Sequence, residues 1–597
     1  MSKRRRRLLV VLATWVFVAF ATAAAALGDS RVSVSTGYVR QDGGTDTVIS
    51  TCSSSNTATG ANLRQQNEPA VAIDPVDSSF IVVSANDYCS FPATGDAFQG
   101  IYTSPDGGAS WTDSLLPGYP GDTSGVTSTL SGAGDTNAGD PVLDWDNDGH
   151  LFAGGISFNR TATRGNSPKT HANGNMYVST WNKVSTSSSA PLGIHFVRTV
   201  IVGQGSSGIY PIGGVFPDKP AVKVDDWSCI QSPFCGNVYA AWTNFVGNFG
   251  QDKIMFSRST DGGQTFSHPI IISKEVPNAQ GADIAVAPDG TVYVVWRQSA
   301  ANKAPNEGDG IVMVKSTDGG QTFSNPSFAF SIDPYDRVDA LVGGLARDCG
   351  SLTALCASGF TFPRTDALPQ ATVDSAGNVY VSYEQVTPAS DNSDTYHPDG
   401  QSQVTVAKST NGGSSWSQTT VDPQSVGDQF WPNMAFDSSN GTLAVIYYDS
   451  RSDPGYSVNR PPGNDSSTPT AKNVCISSGV GTQPCDVLDT YIATSTNGGS
   501  TWTPTKVSSV GNQPDYEQFG GRTVPFYGDY IWVDARAGAL FGTWTDQRDV
   551  LPGSDVRESA IAANGDGFDV KQCRTSATAA DTCPNAGGLD QNIYGAP

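Results

Sequence analysis

Carboxylates and arginines recur in this 597-residue chain at two places relative to short apolar runs. Glu68, Asp140, Lys219, Asp283 and Asp529 stand where such runs begin. Asp87, Arg297, Glu384, Asp449, Arg451, Asp546 and Arg548 stand at or just past the end of the next run. Two phrases match each other, Tyr448-Asp449-Ser-Arg451 and Thr545-Asp546-Gln-Arg548. Carboxyls held together suit general acid–base work, and arginine forks suit an anionic ligand. The competing reading is structural, because Asp–Arg pairs and turn caps also hold neighbouring elements together.

The elements that must position these residues are repeated. One octapeptide reads Ser104-Pro-Asp106-Gly-Gly108-Ala-Ser110-Trp111 and returns at Ser259 to Phe266 and Ser316 to Phe323. Copies with Asn for Asp run from Ser409 to Trp416 and from Ser495 to Trp502. Asp or Asn bonds nearby N–H groups, Gly supplies positive φ and the aromatic anchors the turn, which makes a hairpin between strands. Five copies mean a repeated unit. A second repeat precedes the octapeptides. Apolar runs open at Pro69, Pro141, Pro220, Pro369 and Pro432, each with Asp five residues later, and variants start at Asp283 and Asp529. Each is followed by a second apolar run, such as Val292-Tyr-Val-Val-Trp296. Such runs suit strands buried on both faces.

That makes seven strand pairs, and octapeptides follow the first, third, fourth, fifth and sixth. Met176 to Trp181 reads as the third strand of the second unit, and Glu558 to Ala562 as that of the seventh. The fold predicted is all-β: a β-propeller of four-stranded blades, seven by repeat count, with six blades plus an extra sheet as the alternative. A strand from Arg31 to Ser35 or from Thr47 to Thr51 is expected to close the ring, which removes free edges. The long connections join the second strand to the third and the fourth to the next blade, so they crowd one face. Sites tend to sit on loops held by a rigid scaffold, which makes that face the expected working face. The aromatics ending second strands, Trp242, Trp296, Tyr383, Tyr447 and Trp544, read first as packing between blades and second as platforms for sugar rings.

The octapeptide resembles the Asp-box of the sialidase (neuraminidase) superfamily and its BNR-repeat relatives, over roughly Asn67 to Asp569. The resemblance implies a propeller, and beyond it a glycosidase with three arginines on the substrate carboxylate, a Tyr nucleophile activated by Glu, and an Asp acid/base. Asp87 matches the acid/base position. Arg297, fourteen residues after Asp283, matches the second arginine and its preceding acid. Arg451, Arg522 and Arg548 are candidates for the rest of the clamp. Tyr530, Tyr527, or Tyr516 beside Glu517 are candidates for the nucleophile. The family's first arginine is absent, since Asn67-Glu68-Pro69 stands there. Sialidases have six blades, so the count also departs.

Lys3 to Arg7, Leu8 to Phe20 and Ala21 to Ala26 form the basic, apolar and small-residue parts of a signal peptide, and an uncleaved anchor is the alternative. Without those five basic residues, 30 remain against 57 acidic ones, a net charge of −27. Such acidity argues against nucleic acid and anionic membranes. Ten cysteines in an exported chain suggest disulfides, paired by proximity as Cys229/Cys235, Cys349/Cys356, Cys475/Cys485 and Cys573/Cys583, with Cys52 and Cys89 left for each other. Asp144-Trp-Asp146-Asn-Asp148-Gly149 resembles the start of a calcium loop, but Gly155 stands where the bidentate Glu is needed. An ordinary turn is the main reading and a structural calcium the alternative. No metal or cofactor is otherwise expected.

The organisation expected is a signal peptide over 1–26, an N-terminal segment over 27–66, the propeller over 67–570 and a tail over 571–597. Two functions follow. One is a secreted, exo-α-sialidase-like glycoside hydrolase acting on extracellular glycans, with Asp87, Glu517 and Tyr530 as catalytic residues and Arg297, Arg451, Arg548, Arg522 and Asp283 binding substrate. The other is a non-catalytic propeller that binds an extracellular glycan or protein, and the partner expected in either case is a glycan or glycoprotein.

Overall fold

A computed structural model describes residues 28–597 apart from 35–36, 54–64, 91–96, 127–129, 131–133, 160–173, 208–213, 247–251, 275, 277, 300–308, 335–337, 340–343, 346–366, 388–400, 454–486, 513–527 and 550–590. The chain forms seven antiparallel blades built on four strands, and in the third the short strand Ser206–Ser207 adds to the inner edge. The inner strands are Gln66–Ile73, Asn137–Trp145, Gly214–Val224, Ala279–Val286, Gln370–Val373, Gln429–Asp437 and Trp532–Arg536. Each touches the next, and the seventh touches the first. Second strands such as Ile81–Asp87 and Val292–Gln298 are buried nearly throughout, as their unbroken apolar runs require. Trp145, Trp181, Trp242, Trp296 and Trp544 fill the gaps between blades.

The octapeptides are the outer hairpins. In the first, Asp106 Oδ1 accepts from Ser104 Oγ (2.8 Å) and the Ser110 amide (2.8 Å), and Gly108 N donates to Ser104 Oγ (2.8 Å). Gly108 has φ +93°, and a Cβ there would lie 2.6 Å from Phe541 of the seventh blade. The third-blade and fourth-blade turns dock in the same way, with Gly263 against Phe152 and Gly320 against Phe256. Each turn is therefore wedged onto the blade before it.

Both termini close the ring. In the last blade the third strand is Asn592–Ala596 and the outer strand is Ser30–Arg31. The expected third strand, Glu558 to Ala562, lies outside the described residues. Thr47–Ser53 is a helix rather than a closing strand. Asp46 caps it through the Ile49 amide (2.9 Å), and the Cys52–Cys89 disulfide ties it to the first blade, so local capping overrides the β-branched run. Cys229–Cys235 also forms. The other three proposed pairs lie outside the described residues.

Candidate functional site

The inner strands bend as they enter the sheet. Their pairing with the second strand carries one extra residue between Asn67 and Ala70, Gly139 and Val142, Asp218 and Ala221, Gln280 and Asp283, and Phe430 and Asn433. At each bulge one residue has a left-handed backbone: Glu68 (φ 55°), Asp140 (53°), Lys219 (49°), Gly281 (63°) and Trp431 (54°). Ala367 (49°) and Gly528 (105°) stand just ahead of the fifth and seventh inner strands. For a residue with a Cβ this conformation costs about 1–2 kcal/mol, so it persists only where the surroundings demand it. Bulges re-aim side chains, and here they ring the axis.

Latches from the second strands hold the bends. The Asp140 amide donates to Asn86 Oδ1 (2.8 Å), the Gly281 amide to Thr243 Oγ1 (3.2 Å) and the Trp431 amide to Glu384 Oε2 (2.5 Å). In each case the acceptor belongs to the preceding blade.

Four bends, in blades seven, one, two and three, gather Glu68, Asp140, Asp218, Lys219, Asp529 and Tyr530 at the axis. The carboxyls of Asp140 and Asp218 stand beside each other, close enough for Asp218 to weigh on the ionisation of Asp140. Lys219 Nζ lies 3.0 Å from Asp529 Oδ2, and Asn86 Nδ2 donates to Glu68 Oε2 at 2.8 Å. Glu68 is buried, while the other five keep partial exposure. Burial, then the charges of Glu68 and Asp218, push the Asp140 carboxyl well above the usual carboxylate range, with Lys219 opposing. Burial, then Glu68, Asp140, Asp529 and Asp218, push the Tyr530 phenol well above its ordinary value. Space is tight around this group. A Cβ at Gly139 would lie 2.6 Å from Asn86 Oδ1, and one at Gly528 would lie 2.9 Å from Glu68 Cγ.

Carboxyls so close resist ionising together, so Asp140 holds a proton more readily than an exposed carboxyl does. Asp140 can therefore lend a proton and take one back. The phenol beside it is protonated at rest and becomes a nucleophile only by passing its proton to a neighbouring carboxylate.

The residues singled out from sequence are distributed differently. Asp87 is fully buried, and its oxygens accept from Tyr38, from Tyr102 (2.8 Å) and from the Cys89 amide (2.8 Å). A carboxylate so enclosed has no route to a glycosidic oxygen. Arg297 lies 3.2 Å from Asp309, and its register partner is Gln280 rather than Asp283. Arg451 binds Asp449 (2.5 Å) and Asp422, with its guanidinium 4.1 Å from the Tyr491 ring centre. Arg548 repeats this arrangement with Asp546 (2.7 Å), Asp29 (2.8 Å) and the Tyr594 ring (4.0 Å). The matched phrases are thus one structural device used twice. Of the two sequence-derived catalytic residues that are described, Asp87 and Tyr530, Tyr530 reaches the axial group. Glu517, Arg522, Tyr516 and Tyr527 lie outside the described residues. Asp218 escaped the sequence reading. Its signal was the charged-residue–Pro step opening the first three blades, Glu68-Pro69, Asp140-Pro141 and Lys219-Pro220.

Beyond the mouth the axis continues as a cavity of about 270 Å³ that opens among the short turns of the opposite face, near Asn147, Asp226 and Ala537. Asp283 lines it and accepts from the Ala371 amide (2.7 Å), as Asp534 accepts from Ile73 (2.7 Å). These bonds are seams between blades. Burial lifts the Asp283 carboxyl to about 6. Asp144 also turns into this cavity, to Lys223 (3.0 Å) and Arg536 (3.3 Å), while Asp146 folds back onto the amides of Asp148 and His150. The acidic turn therefore has no common centre for calcium. Among the described residues no group of three or more His, Cys, Asp or Glu is placed to hold a metal.

No known family's sequence pattern and no curated protein matches the chain. Its structural counterparts include sialidases and an arabinofuranosidase. The Trypanosoma rangeli sialidase in complex with the inhibitor DANA is 11% identical over 65% of this chain and 53% of its own, with a TM-score of 0.36. This chain thus spans about half the length of that sialidase. The α-L-arabinofuranosidase of Fusarium graminearum is 12% identical over 71% of this chain and 92% of its own (TM-score 0.38). A Dyadobacter fermentans protein of unknown function is 13% identical over 71% and 95% (TM-score 0.35). At these identities the likeness is one of fold.

Proposed function

We propose that the protein is a secreted glycoside hydrolase that acts on extracellular glycans where the axis opens on the loop-bearing face. The observation that carries this reading is the clustering of the Asp140, Asp218 and Glu68 carboxyls beside Tyr530 at neighbouring bends of the axis. The protonated carboxyl gives its proton to the glycosidic oxygen, and the bond to the anomeric carbon breaks with its electrons on that oxygen. Tyr530 attacks the anomeric carbon as its proton passes to Glu68. Water, giving a proton back to the pair, then releases the sugar, and Glu68 returns the phenolic proton. Export rests on the N-terminal segment and agrees with the two described disulfides.

The finer, exo-α-sialidase-type reading needs arginines on a sugar carboxylate. Arg297, Arg451 and Arg548 are each engaged by carboxylates of their own blades, and Arg522 lies outside the described residues. Among the described residues the mouth sets four carboxyls against one lysine, a balance that suits an uncharged sugar. The test is an aryl-glycoside panel, sialosides included, with the purified mature protein and Asp140→Asn. Release of a neutral sugar, lost in Asp140→Asn, supports the reading. Release from sialosides alone restores the arginine clamp. No release from any glycoside refutes the hydrolase.

A further inference from the structure

Two carboxyl-bearing bends on neighbouring blades share one side chain. Asn86 ends the second strand of the first blade and is 4% exposed. Its Nδ2 donates to Glu68 Oε2 (2.8 Å) and Asn67 Oδ1 (3.0 Å), and its Oδ1 accepts from the Asp140 amide (2.8 Å). The partners fix which end of the carboxamide faces which group, since a carboxylate needs a donor and an amide N–H an acceptor. Gly139 leaves the slot in which Asn86 Oδ1 sits.

We infer that Asn86 is the positioning residue of the axial site, holding Glu68 by its donor end and the Asp140 bend by its acceptor end so that both face the axis together. This rests on the hydrolase reading for its consequence in catalysis, but not for its electrostatics. The comparison within the molecule is direct. Thr243 and Glu384 hold the next blade's bend in the same way. Those latches meet Gly281 and Trp431, which carry no charge, so they are structural only. At Asn86 the same latch also grips a carboxylate.

Among the described residues the charged and titratable groups facing Glu68 and Asp140 include Asp218, Lys219, Asp529, Tyr530 and, behind Asp140, Tyr177. Asn86→Asp keeps an acceptor for the Asp140 amide but sets an anion against Glu68. Asn86→Ala removes both contacts. Melting temperature without substrate and kcat/KM are followed across pH for both variants. Positioning predicts that Asn86→Asp matches the parent's melting temperature in acid, where the carboxyls are protonated, and falls behind progressively as pH rises. It also predicts that the acid limb of its rate profile moves up by about one unit. Asn86→Ala should lose stability at every pH, acid included, because the bond to the Asp140 amide is lost at every pH. Parallel losses in both variants with unmoved limbs would overturn the inference. If the parent hydrolyses nothing, the hydrolase reading fails, and the melting curves alone still decide the role of Asn86.

Discussion

The carboxyl of Asp140, on the second blade, stands beside the carboxyl of Asp218, on the third. Both stand at bulges where an inner strand bends, so the pairing depends on neighbouring bends at one level of the axis. Burial and the nearby Glu68 charge then make a proton on Asp140 hard to remove. The arrangement conflicts with stability and therefore points to a use.

That conflict has a sign. A carboxyl raised on folding contributes its stability fully below its unfolded value and loses it as pH rises through the folded value. Asp140→Asn keeps the shape and can donate to Asp218. It should therefore be no less stable than the parent in mildly alkaline buffer, and should gain nothing in acid, as urea unfolding at both pH values would show.

The same logic applies in the axial cavity. Asp283 is lifted by burial from 3.8 to about 6, and its bond from the Ala371 amide needs only an acceptor. Asp283→Asn should stabilise the protein by about 1–3 kcal/mol above pH 6, with no gain near pH 4. Thermal melting across that window checks it.

Arg548 ties the N-terminal strand into the last blade through Asp29 while pairing with the buried Asp546. Arg548→Ala leaves two carboxylates without that partner and should cost about 3–5 kcal/mol. Denaturant midpoints measure the loss, and turnover per folded molecule should stay near the parent's. Lost turnover at unchanged stability would instead place Arg548 on the ligand.

In the fourth-blade octapeptide, Asp318 accepts from Ser316 (2.7 Å), the Thr322 amide (2.9 Å) and the Thr322 hydroxyl (2.6 Å). Burial opposes its ionisation, but these bonds outweigh it and hold the carboxyl at about 2. Asn411 makes the same turn with the last bond reversed, donating to Ser415 Oγ (2.8 Å). Asp318→Asn should thus be neutral within about 0.5 kcal/mol at neutral pH, and Asp318→Ala should cost about 1–2 kcal/mol. The parent should lose the carboxylate's contribution as pH falls from about 4 toward 2, and the Asn variant should not.

The propeller was legible because its signals are local and repeated: Ser, Asp or Asn, and Gly at fixed spacing close five outer hairpins, and buried second strands read as continuous apolar runs. The ring closure was less so. Ser30–Arg31 is two residues long, and Asn592–Ala596 lies far from the blade it completes. The loop-bearing face also emerged from turn lengths. The site did not, because sequence spacing treats every arginine at a strand end alike. Arg451 and Arg548 look like a clamp until Asp422 and Asp29, which come from other connections, appear beside them. Asp87 looks like an acid until Tyr38 and Tyr102 enclose it. Asp218 was invisible because its partner is chosen by a bulge in another blade.

The most direct test of the account compares Asp140→Asn, Asp218→Asn and Asp87→Asn on whichever glycoside the parent hydrolyses, with rates set against folded protein. The carboxyl pair predicts that the first two lose at least about 10²-fold in kcat/KM while remaining folded, and that Asp87→Asn keeps its turnover. Full turnover in Asp140→Asn and Asp218→Asn, with loss confined to Asp87→Asn, would contradict it and move the chemistry beneath the first blade.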